Sequence, residues 1–352
     1  MQTLTLYEKI HGCAHACFPI LCALIQLVFL LSIGREKAVS DVCHLIIDSC
    51  CDLPYDLVQR DDVSLVRFPY LFGEEEHLDD LWQSASAKDF YGRMRKGEQP
   101  TTSQATIAEL TARFVEAAEL GTPSVYLCFS SGLSASYDQA CIVAEQVRAQ
   151  YPDFELQVVD THHASVSEAL FVFEALRQID RGLSAAELAE WALEAQYYVN
   201  VYFMVEDLEC LHRGGRIPST VAVMGSKLDV KPILMIPADG TLTVKSVARG
   251  RKKGLRQLAQ IYADMADKPH TQQYLVVGNA DCEKDMKKLV DMIKKDCAKE
   301  QREPVFIETT IGPTIGSHVG PGMVAIAFWG PDRRDKMSVA DRIAKKVRGA
   351  RE

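Results

Sequence analysis

Short apolar runs that stop at a polar loop and give way to a helix recur through the first half of this 352-residue chain, and no other feature restricts its fold as much. Residues 43–47 (Cys43-His44-Leu45-Ile46-Ile47) end at Asp48-Ser49, residues 124–129 at Ser130-Ser131-Gly132, and residues 156–159 at Asp160-Thr161. Continuous apolar runs of this length read as strands buried on both faces. Residues 65–72 make a further strand. Helices are predicted over 87–96, 107–120, 134–150 and 165–181. The second of these has Ile107, Leu110, Phe114, Ala117 and Ala118 on one face, with Thr102 or Ser103 as its N-cap. Such alternation predicts a mostly parallel sheet covered by helices, with the polar loops at the carboxyl ends of its strands. Sheets of this kind bind ligands at those ends.

The pattern changes after Ser184-Ala185-Ala186-Glu187, a capping box opening a helix that runs to about Tyr197. Strands are expected at 201–205, 274–277, 305–308 and 324–329. Residues 233–237 and 241–247 flank Asp239-Gly240, a hairpin signal. Helices fall near 254–265 and 281–299. The expected fold class is therefore α/β in two domains: a parallel α/β sandwich over 41–198, then an α+β domain with a mixed or antiparallel sheet over 199–330. Residues 331–352 read as a basic, polar tail, either irregular or a helix with a frayed end.

Residues 1–40 form a hydrophobic extension whose stretch 18–33 is nearly all apolar. It is short for a membrane span, which needs about 20 residues. It also lacks the basic start and small-residue cleavage site of a signal peptide. A membrane anchor and a mis-called translation start are the readings left. The net charge of −9 argues against a general nucleic-acid binder. Eleven cysteines without a C-x-x-C pair point to reduced thiols in cytoplasm, and away from zinc or redox motifs. No metal or cofactor is expected.

Three polar loops carry candidate chemistry. Ser130-Ser131-Gly132-Leu133-Ser134 joins a strand to a helix start, where free backbone N–H groups and hydroxyls suit a carboxylate or phosphate; plain helix capping is the alternative. Thr102-Ser103 repeats the arrangement. His318, before Val319-Gly320-Pro321-Gly322, lies in a loop of no regular period and is a candidate ligand contact or base. Gly214-Gly215-Arg216 sets a tight turn beside a fixed cation, or is a solvated surface turn. A hydrolase would use Ser130 or Ser131 with His318, but the G-x-S-x-G elbow is missing. A dinucleotide enzyme would need a glycine motif after the first strand, where Asp48-Ser49-Cys50-Cys51-Asp52 has no glycine. A carrier needs only an anion clamp beside an apolar cavity.

Six blocks in order along the chain resemble the DegV family of bacterial fatty-acid-binding proteins. They are Asp48-Ser49-Cys50-Cys51-Asp52-Leu53, Thr102-Ser103-Gln104, residues 130–137 (SSGLSASY), residues 208–216 ending in Gly-Gly-Arg, Lys231-Pro232-Ile233-Leu234, and His318-Val319-Gly320-Pro321-Gly322. The resemblance covers residues 43–330. It implies a cytoplasmic, non-enzymatic protein that holds a long-chain fatty acid between two domains and presents it to a fatty acid kinase, whose acyl-phosphate product feeds phospholipid synthesis. By position, it assigns the carboxylate to Thr102 and Ser134, with His318 at the same head-group site, and gives Arg216 a role in docking the kinase. Ser103, Ser130 and Ser131 complete the expected ligand-binding set. Ala135 departs from the family's glycine, and Ala reaches positive φ less freely. Expected cavity-lining residues are Phe203, Leu208, Leu211, Val223, Met224, Ile233, Leu234 and Ile236.

Overall fold

The computed structural model describes residues 43–218, 230–267 and 273–336. Residues 18–33, Val223 and Met224 lie outside them. Among the described residues no helix is long and apolar enough to cross a membrane.

Four strands form the expected parallel sheet, ordered β2-β1-β6-β7: β1 (His44–Asp48), β2 (Val63–Val66), β6 (Ser124–Cys128) and β7 (Leu156–Asp160). Every residue of β1 and β6 is buried, as a sheet covered on both faces requires. A small antiparallel sheet stands beside it, made of β3 (Pro69–Phe72), β4 (Glu75–Leu78) and β5 (Thr101–Thr102). The single strand expected over 65–72 is therefore two, in different sheets. Phe68 lies at the break, its N–H donated to Ser49 Oγ at 3.1 Å instead of to a neighbouring strand. Pro69, which has no N–H, opens the second strand.

The helices of this half are α1 (Ala87–Arg95), α2 (Ile107–Leu120), α3 (Ser136–Gln150), α4 (Val166–Asp180) and α5 (Ala185–Ala195), the last opened by the predicted capping box of Ser184 and Glu187. One cap and one helix start need correction. Thr106, not Thr102 or Ser103, caps α2, its Oγ1 accepting the Glu109 N–H at 3.1 Å. Thr102 is instead part of β5, which leaves its hydroxyl free for another partner. The helix after β6 starts at Ser136, two residues later than expected.

The second sheet has six strands in the order β10-β9-β8-β13-β11-β12. They are β8 (Val199–Met204), β9 (Val230–Met235), β10 (Thr243–Arg249), β11 (Tyr274–Asn279), β12 (Val305–Thr310) and β13 (Val324–Trp329), and only β11 and β12 run parallel. Short α6 (Glu209–Arg213) follows β8, and α9 (Pro313–Val319) precedes β13. Alternation along the strands splits the residues between two cores. Tyr202, Met204, Leu275, Val277 and Ile326 pack under α7 (Arg251–Met265) and α8 (Glu283–Lys299). Val201, Phe203, Leu234, Val276 and Ala325 face inward, in one continuous core with the parallel sheet. Helix α4 fills that shared layer, and seven consecutive residues from Val166 to Val172 are buried. The start of the expected tail is docked on the fold: Arg333 is 3% exposed.

Candidate anion-ended cavity

An apolar cavity opens where the carboxyl end of the parallel sheet meets the inner face of the six-stranded sheet. Phe68, Phe129, Phe203, Leu242, Ile315 and Met323 supply much of its apolar wall. It is narrow, with about 70 Å³ open to the centre of a water-sized sphere, a few water positions at roughly 10–15 Å³ each. Thr102, Ser103, Ser134, Arg216 and His318 also line it.

Thr102 and His318, 216 residues apart, meet here: Thr102 Oγ1 lies 2.8 Å from His318 Nε2. Strand β5 delivers the threonine, and the last turn of α9 delivers the histidine. His318 is therefore helical rather than in an irregular loop, a correction with a consequence. Thr314, Ile315, His318 and Val319 all line the cavity, at the i, i+1, i+4, i+5 spacing of one helical face. Burial, then the Arg216 and Arg213 cations, lower the His318 pKa to about 4. The ring is neutral at pH 7; with its proton on Nε2 it donates to Thr102 Oγ1, which leaves the threonine hydroxyl hydrogen for a ligand. Ser134 Oγ accepts the Ser136 N–H at 3.2 Å and lies 2.8 Å from Ser136 Oγ. The hydroxyl at 136 thus supports the one at 134. Ala135 sits at φ −81°, a conformation that asks for no glycine.

Arg216 Nε donates to Leu133 O at 3.1 Å, and its Nη1 donates to Gly214 O. Burial lowers its pKa. The cation thereby ties the turn after α6 to the loop after β6.

Ser130 and Ser131 do not join this group. Ser130 is fully buried and donates to Gly240 O at 2.9 Å, across to the β9–β10 hairpin turn. The contact is close: a Cβ on Gly132 would stand 2.6 Å from the Gly240 carbonyl carbon. Ser131 is exposed and bonds Asp160, which His162 also approaches at 3.0 Å. Burial would raise the Asp160 pKa, but the His162 and Ser131 hydrogen bonds outweigh it and the net shift is downward. Neither serine bonds His318, so the pair a serine hydrolase needs is not formed. Asp48 is fully buried at the end of β1. It accepts the N–H groups of Cys50 at 3.1 Å and Phe129 at 2.7 Å, pinning two strand ends together.

Of the apolar residues expected to line a cavity, Phe203, Leu211 and Ile236 do. Leu208 and Leu234 are buried elsewhere in the same core, and Ile233 points to the α7/α8 side. The cavity face of α9, together with Phe68, Phe129 and Met323, escaped the sequence reading. The helical spacing of 314–319 was the available signal.

Two sheets sharing one central helix, with a slim apolar cavity ended by hydroxyls, an imidazole and an arginine, define an α/β small-molecule-binding fold. The family model described as uncharacterised protein, DegV family, matches residues 43–330, and the chain belongs to the DegV family. A DegV domain-containing protein of Clostridium perfringens is 34% identical over 283 residues, covering 80% of this chain and 96% of that protein. A DegV family protein of Thermus thermophilus, described as fatty-acid-binding, superposes with a TM-score of 0.71 at 26% identity, over 82% of this chain and 99% of that one. The fatty acid kinase (Fak) B3 protein of Streptococcus pneumoniae, solved with linoleic acid, superposes with a TM-score of 0.71 at 18% identity, over 82% and 100% of the two chains.

Proposed function

We propose that this protein binds a long-chain fatty acid, with the carboxylate held by Thr102, Ser134 and His318 and the acyl chain in the apolar cavity. The observation that carries the reading is the Thr102–His318 hydrogen bond at the end of that cavity. A carboxylate is costly to bury without hydrogen bonds. Two hydroxyls and a neutral imidazole offset that cost. Affinity then comes from the chain, at about 0.8 kcal/mol per buried CH₂, or on the order of 10 kcal/mol for a long tail before ordering costs. The fatty-acid binding described for the Thermus relative supports the same class of ligand.

The finer part of the proposal is that the bound acid is presented to a fatty acid kinase, as the name of the Streptococcus protein suggests. Arg216 is proposed to contact that partner. Its guanidinium stands in the cavity wall, beside the loop that carries Ser134. Ser103 is exposed at the same wall and suits the rim. Ser130 and Ser131 act at one remove, by holding their loop.

The test is solvent extraction of purified protein followed by mass spectrometry, with titration of Ser134→Ala and His318→Ala. A stoichiometric free fatty acid, and affinity reduced about tenfold or more in each variant, is the expected result. Protein that takes up no fatty acid overturns the reading. For Arg216→Ala the expectation is near-normal binding with slower acyl-phosphate formation by a fatty acid kinase. Unchanged turnover would remove the docking role.

A further inference from the structure

We infer that Gly214 is a positioning residue for His318: its missing side chain is the space against which the imidazole is seated, so that Nε2 meets Thr102 at the end of the cavity. The inference rests on the proposed role of His318 as a carboxylate contact.

Gly214 follows α6, and its N–H closes the last turn on Cys210 O at 2.9 Å. Its φ is −72°, open to any residue, so backbone conformation does not call for glycine here. Gly215, at φ +73°, is the position that does. What requires glycine at 214 is contact. A Cβ built there would overlap His318 Nδ1, stand 2.8 Å from His318 Cε1 and stand 3.3 Å from Cys210 O.

The ring has little room to yield. Its Nε2 is engaged by Thr102. Its Nδ1 is buried without a hydrogen-bond partner among the described residues, so no bond on that side sets the ring's orientation. The wall made by Gly214 does. The same two segments approach closely at a second point, where a Cβ on Gly320, just after α9, would lie 3.0 Å from Cys210 Sγ. The two segments thus approach closely both at the histidine and just beyond it. A methyl at 214 displaces the imidazole away from α6, breaks its register with Thr102 and disorders the head-group site, although Gly214 itself need not touch the ligand.

The experiment is a double-mutant cycle on the full chain, with oleate binding by calorimetry and the His318 ring followed by NMR titration. Gly214→Ala is expected to weaken oleate binding about tenfold or more, while adding it to His318→Ala changes affinity by less than about twofold. The His318 ring signals should shift in Gly214→Ala, and its pKa should climb from about 4 towards the ordinary range. Additive losses in the cycle, or unmoved His318 signals, overturn the inference. If wild-type protein binds no oleate, the functional proposal fails, and the NMR titration alone decides the positioning role: a shifted ring supports it and an unmoved ring overturns it. Should Gly214→Ala not fold, recovery of a cooperative melt in the His318→Ala background supports the steric account, and a double variant that also fails to fold overturns it.

Discussion

His318 is neutral at pH 7, where an exposed histidine would be about one quarter charged, and this has a measurable cost in acid. Its folded pKa, lowered to about 4 by burial and then by Arg216 and Arg213, lies below the unfolded value near 6.5. As pH falls below the unfolded value the unfolded chain takes up the proton first. The stability His318 contributes above that value is therefore lost as pH falls towards about 4. Between about pH 7.5 and 5 the loss is on the order of 2 kcal/mol. His318→Gln should flatten this part of the acid limb in urea unfolding; a variant that loses as much stability as wild type over the same interval would show the titrating group is another one. The residues around it show what a sequence does and does not disclose. Hydroxyl-rich blocks at 102–103, 130–131 and 134 were legible as such, but not the direction of each hydroxyl. In a turn there is no period from which to read it. Thr102 and Ser134 line the cavity, whereas Ser130 reaches the Gly240 carbonyl and Ser131 reaches Asp160.

At the scale of elements, helix α9 is positioned from both ends. His318 is in its last turn, while two buried carboxylates from other elements hold its first: Gly312 N–H donates to Asp52 Oδ1 at 2.8 Å, and Thr314 N–H to Asp79 Oδ2 at 3.1 Å. Asp79 also takes the Leu81 N–H at 3.3 Å. Burial raises the Asp79 pKa to about 7 against the Thr314 and Leu81 hydrogen bonds. Its pH linkage has the opposite sign to that of His318: its contribution is complete below about pH 4 and lost as pH rises through about 7. Asp79→Ala leaves two backbone donors without their acceptor, at a cost of about 2–4 kcal/mol. It should also weaken fatty-acid binding, because the helix it frees carries the histidine. Calorimetric melting and ligand titration of the variant check both effects, and a destabilised protein with wild-type affinity would show that the two ends of α9 are uncoupled. The sequence disclosed strands and helices where apolar period was strong, as in α2, α4 and β6. It misled where tertiary partners decide. Asp79, which no sequence pattern singled out, is fully buried. The run 65–72 reads as one strand, yet the Ser49 hydroxyl takes the Phe68 N–H at its break.

At the scale of the whole molecule, the expected domain boundary at 198/199 falls just before β8, and the segment after the last strand returns to that boundary. Arg333 lies near the start of the stretch expected as a basic tail, where a solvated side chain would be ordinary. Instead its guanidinium donates to Gln196 O at 2.6 Å, to Ile236 O at 3.0 Å and to Pro237 O at 3.0 Å. These carbonyls belong to the end of the α5 segment and to the hairpin that also receives Ser130. Burial lowers the Arg333 pKa to about 10, so the group stays charged at pH 7. No ion pair offsets its desolvation among the described residues, so the three carbonyl dipoles must do so. An arginine is suited to this because its planar fork carries several donors at once, and a lysine ammonium cannot span the same three oxygens. Arg333→Lys should therefore cost much of what Arg333→Ala costs, about 3 kcal/mol for the alanine variant. Ile236 also lines the cavity, so the loosened hairpin should reduce fatty-acid affinity in both variants. Urea unfolding and oleate titration of the two proteins decide it. Stability within about 0.5 kcal/mol of wild type for both, the usual range for a surface substitution, would return residue 333 to the solvated tail that its sequence suggests.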